Sequence, residues 1–283
     1  MLETLIRPKE AEKHPWKMFF VGLVYASLSL LLVHWFFPND PLANGMTVVI
    51  FCLMFSLPFM FYMIKNEERQ DEDIEGIRHV WKVHGDAIYA FMWLFLGFVI
   101  AFSFWNIVLQ NPNLLNFQVE TYCRINSPGN VENCISSYTT TGKVTDVTSA
   151  ATKNLRFLSI IENNIFVMIF TLIFSLLFGA GAIFILIWNA SVIAAAIGIF
   201  TGYQINEIPL GLARYMIHGF PEIAAYFITA LAGGIFGVGA IRNGIRSKKF
   251  LHVLENTIIM LFIAIIILIF AAVIEVYFTP LLF

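Results

Sequence analysis

The sequence predicts an all-α, polytopic membrane protein of about seven transmembrane helices, with a short re-entrant or interfacial helix before the sixth. Three observations carry this. Of 283 residues, 59% are hydrophobic and only 13% charged, where soluble domains carry about a quarter charged residues. Mean hydropathy is +0.78. Several apolar runs reach the roughly 20 residues that cross a bilayer, and none of the alternating segments of a transmembrane barrel recurs. A net charge of −2 points away from nucleic acid, and the bilayer is the one partner that composition requires.

Residues 1–17 form a polar leader, expected in the cytoplasm, with Arg7, Lys9, Lys13 and Lys17 moderated by Glu3, Glu10 and Glu12. It is no cleavable signal peptide, because the apolar run that follows is long enough to remain as an anchor. A three-span region is expected over 18–109. The first span, 18–37, ends at the turn signal Pro38-Asn39-Asp40-Pro41. The second covers 46–64 and the third 87–109. Between them lies the most charged stretch, 65–86, whose mixed signs read as a solvated loop or surface helix. His79, His84 and Asp86 there do not match a metal-ligand spacing.

Residues 110–153 form one long polar loop, read as a small extramembrane cap without assigned secondary structure. Cys123 and Cys134 lie in it, eleven positions apart. If the loop faces outside, they are a disulfide candidate, although two Cys in one loop can also stay unpaired. Cys52 sits in an apolar run and reads as a buried thiol.

The C-terminal membrane core, 154–283, is richer in small residues. Its fourth span is expected at 161–188, opened by Glu162, Asn163 and Asn164, with Gly179 and Gly181 in its second half and Asn189 just after it. The apolar piece 190–203 is short for a full span, and 210–217 is shorter still. Segment 204–220 is therefore the re-entrant or interfacial candidate. The sixth span is expected at 221–241 and the seventh at 254–277. Gly233 and Gly237 form a small-xxx-small pair, which lets helices pack closely within the chain or across a homo-oligomer. Lys and Arg collect in the leader, at 65–86 and at 242–250. Seven spans put all three inside, with the 110–153 loop and the C-terminus outside. Six spans would put 242–250 outside, against the charge rule.

The chain is organised around 207–244, where Arg214, His218 and Glu222 recur every four residues. An ionisable group at membrane depth is costly unless paired or facing a wet cavity. Two readings of Glu222 stand. Following Pro221, it can cap a helix or pair with a cation, or it can handle an ion or solute. No zinc helix, nucleophile elbow, phosphate loop or dinucleotide fingerprint occurs, so neither a catalytic residue nor a cofactor is assigned.

These motifs carry a resemblance. Asn163-Asn164 opening a span, Gly179 and Gly181, Asn189, and His218-Gly219-x-Pro221-Glu222 followed by Ala232-Gly233-Gly234 resemble the stage II sporulation protein M family. The N-terminal half is similar to an archaeal subgroup through His14-Pro15-Trp16, VGLVYASLSLLL and FLGFVIAFSFW. The family's namesake is regarded as a membrane scaffold that works with wall-remodelling partners. The resemblance thus implies a scaffold or a subunit of an envelope complex. It carries over Asn163, Asn164, Asn189, His218 and Glu222 as core positions only. The alternative is a small-solute or ion transporter using the polar cluster around Arg214, His218 and Glu222.

Overall fold

The computed structural model describes residues 8–37, 45–71, 77–109, 111, 114–126, 131–140, 153–178, 182–243 and 247–283. The described residues are almost wholly helical, as apolar surroundings require: with no water to bond, each backbone N–H and C=O must be satisfied within its own segment. Helix α1 is Pro8–Lys13, α2 Lys17–Phe36, α3 Gly45–Asp71 and α4 Ile77–Leu109. Two short helices follow, α5 Asn116–Asn126 and α6 Val131–Thr140. Then come α7 Lys153–Phe178, α8 Ile183–Phe200, α9 Ile208–Asn243, α10 Lys248–Val273 and α11 Thr279–Leu282. A 3₁₀ turn, Ile205–Glu207, leads into α9, and a π turn, Ile274–Phe278, joins α10 to α11. Seven of the described helices are long and apolar enough to cross a membrane. The protein is a multi-pass membrane protein.

Helix α9 is the centre. Its apolar window is 78% buried, against 22% for α7. Helices α3, α4, α7, α8 and α10 all pack against it. Phe227 of α9 stacks on Phe91 of α4 at 5.0 Å and meets Phe95 edge-on. Contacts of this kind matter because lipid tails are as apolar as the helices, so close packing and hydrogen bonds drive association. Gly233 and Gly237 show it on α9. An added Cβ at Gly237 would lie 2.7 Å from the Leu176 carbonyl, and one at Gly233 would lie 2.9 Å from that of Leu172. The small-residue pair therefore serves the α7–α9 contact inside the chain. Gly179 and Gly181 lie outside the described residues. A second close crossing joins α2 and α4, where a Cβ on Gly22 would strike the Leu94 carbonyl and one on Gly97 that of Phe19.

Three expected boundaries move. The fourth span ends at Phe178, and Trp188 and Asn189 lie inside α8. One unbroken apolar run covers both helices, so hydropathy alone shows no seam. The short segment before the sixth span is the start of α9, which continues through Pro221 for 36 residues, about 54 Å. Pro221 removes a single ladder bond, and helix continues on both sides of it. The 110–153 loop contains α5 and α6, joined by the Cys123–Cys134 disulfide. Leu114, Leu115, Val119 and Cys123 are buried. Gln118 Nε2 donates to the Gly45 carbonyl and to Ser191 Oγ, each at 3.1 Å, seating α5 on α3 and α8.

Candidate functional site

Helices α7 and α9 and the π turn converge on a group of polar side chains inside apolar segments. Asn164 is buried on the α7 face that meets α9, and its Nδ2 donates to Glu222 Oε1 at 2.7 Å. Asn163 Nδ2 lies 3.3 Å from Asn164 Oδ1 and extends the chain toward the exposed side of α7. Thr279 meets His218, so Glu275, one turn before Thr279, lies alongside Glu222, one turn after His218, as α9 and the π turn pack together. A π turn inserts one residue into the helical repeat and re-aims the side chains around it, a distortion often found at functional sites. Tyr226, one turn beyond Glu222 on α9, is 2% exposed and feels both carboxylates.

His218 lies one turn before Glu222, with Nδ1 3.4 Å from Thr279 Oγ1 and within the field of Arg156 and Arg214. Arg214 turns elsewhere: its guanidinium stands over the Phe200 ring at 4.5 Å from the centroid, a cation–π placement. Among the described residues, no carboxylate lies within ion-pair distance of Arg214.

The structure joins Asn163, Asn164 and Glu222 of the expected cluster by hydrogen bonds, with His218 one turn before Glu222 and within the field of Arg214. Among the described residues, the other three expected members make no hydrogen bond to this group. Glu162 is exposed on α7. Asn189 donates to the Ile185 carbonyl of its own helix at 2.7 Å. Arg214 stacks on a ring. The capping role expected for Glu222 does not apply, because it lies in the interior of α9, with an asparagine rather than a cation as its partner. Glu275 and Tyr226 were not foreseen. Glu275 did leave a signal, as the lone charge in the apolar run from 256 to 283.

A second polar group closes the opposite end of the bundle. His84 Nδ1 lies 2.7 Å from Glu67 Oε2, both side chains 1% exposed. Asn66 Nδ2 donates to Glu12 Oε1 at 2.7 Å and ties α1 to α3. Burial, followed by the charge of Glu67, pushes the Glu12 carboxyl up to about 7. His84 is thus a partner of Glu67, and among the described residues no group of three His, Cys, Asp or Glu is placed to hold a metal.

A family model described as stage II sporulation protein M matches residues 12–280. No curated protein and no solved structure matches the chain.

Proposed function

Given that the chain belongs to the stage II sporulation protein M family, we propose that it is an integral membrane scaffold, or a subunit of an envelope or membrane complex, with no catalytic step of its own. One observation carries this reading. Helix α7 is the least buried of the seven apolar helices, yet its exposed side carries Glu162 and Asn163 beside Phe166, Ile169, Phe170 and Ile173. Polar groups presented to lipid are costly, and a protein neighbour that pairs with them removes the cost. The neighbour is a partner protein of the complex or a second copy of the chain. The small-residue stripe of α9 is already used within the fold.

The charge distribution supports an orientation in the cell membrane. Lys17, Lys65, Lys248 and Lys249 gather at the end opposite the disulfide. Basic ends face the cytoplasm, and disulfides persist outside it. The N-terminus is then cytoplasmic, with the α5–α6 cap and the C-terminus outside.

A second reading, ion or solute translocation, rests on the Asn164–Glu222–Glu275 group at membrane depth beside a π turn. Native mass spectrometry of protein gently extracted from its own membranes separates the two. A stoichiometric partner of different mass, or a defined homo-oligomer, supports the scaffold. Monomers alone, together with flux in liposomes that Glu222→Gln alters, support translocation.

A further inference from the structure

Two carboxylates and a phenol lie together in the membrane site with no cation paired to them among the described residues. Among the described residues, neither Glu222 nor Glu275 has a Lys, Arg or His within ion-pair distance. Arg156 acts on Glu275 only from farther off and is itself exposed. Asn164 occupies Glu222 Oε1 and leaves Oε2 open. The Tyr226 hydroxyl, on a side chain 2% exposed and within the field of both carboxylates, makes no hydrogen bond among the described residues. Two neighbouring carboxylates, each half-buried between apolar helices, carry a desolvation cost unless positive charge is supplied. Oxygen-only donors of this kind suit hard cations rather than soft or borderline metals.

We infer that Glu222, Glu275 and Tyr226 bind a hard cation through carboxylate and phenol oxygens. Asn164 is a positioning residue that fixes the Glu222 carboxylate, and the π turn aims Glu275 at the same point. The inference shares its location with the translocation reading and names the ligand class. It does not require the ion to cross the membrane, since a cation bridging α9 to the C-terminal turn would equally lock the helices.

The test is the melting temperature of the purified full-length protein in detergent at fixed pH. NaCl, KCl, MgCl₂ and CaCl₂ are titrated against choline chloride of matched ionic strength. One of these cations raises the melting temperature saturably, by about 5 °C at saturation. Glu275→Gln abolishes the response, and Tyr226→Phe weakens the apparent affinity about tenfold. Three results would each overturn the site: no cation differs from choline, Glu275→Gln keeps the full response, or the melting temperature follows pH and not the cation. If Glu275→Gln does not fold, Tyr226→Phe decides alone, and unchanged affinity overturns the site. Flux in liposomes is read separately. Cation binding without flux supports the site and counts against translocation.

Discussion

At the scale of single residues, the most informative contact is Asn164 to Glu222. A half-buried carboxylate between apolar helices that loses its donor bears part of a desolvation cost of about 1–3 kcal/mol. Interhelical hydrogen bonds in membranes average only about 0.6 kcal/mol. Asn164→Leu is therefore expected to destabilise the protein by more than that average, while Asn164→Leu with Glu222→Leu recovers part of the loss. Thermal unfolding of the two single variants and the double variant measures this coupling. Sequence pattern located Asn164 and Glu222, because polar residues in apolar runs stand out. It also grouped Asn189 and Arg214 with them, and these make other contacts for a physical reason. Asn189 satisfies itself on the carbonyl four residues back, and Arg214 finds an aromatic face. Neither choice is written in spacing.

At the scale of elements, glycine crossings and the docking of α1 carry the predictions. Backbone carbonyls lie where a Cβ on Gly97 or Gly237 would stand. Overpacking typically costs about 1–3 kcal/mol, and a backbone atom cannot swing aside as a side chain does. Gly97→Leu and Gly237→Leu should each lower stability by at least that much, read as a reduced melting temperature or folded yield. The Gly233 and Gly237 pair was visible in sequence at its four-residue interval. Gly22 and Gly97 were not, because neither has a second glycine four residues away and only the fold brings them together. For α1, the Glu12 carboxyl has an ordinary value of 4.5 and is raised to about 7. Between these values the docked state holds more protons than the undocked one, so docking strengthens as pH falls from about 7 toward 4.5. Amide exchange in α1 should slow over that interval, and Glu12→Gln should flatten the dependence.

At the scale of the whole molecule, fold class and span number were legible from hydropathy, while the seams were not. The passage from α7 to α8 lies within one apolar run, and α9 continues through a proline that the sequence reads as a beginning. The 110–153 cap was read as such, but its two helices were not, because its polar composition hides a buried edge of Leu114, Leu115 and Val119. The disulfide closes a short loop, and such cross-links contribute about 2–4 kcal/mol. Reduction, or Cys123→Ser with Cys134→Ser, should loosen α5 and α6 while leaving the seven long helices protected, as amide exchange resolved by segment can show.

The proposed scaffold role requires that the exposed side of α7 meet another protein within the membrane. The most direct measurement is photocrosslinking in native membranes, with a photoreactive residue at Phe166 on that side and, as control, at Phe20 on α2. Both positions are more than half exposed. A discrete protein adduct is expected from position 166, lost with Glu162→Leu and Asn163→Leu, and lipid adducts alone from position 20. Lipid adducts alone from both positions would contradict it.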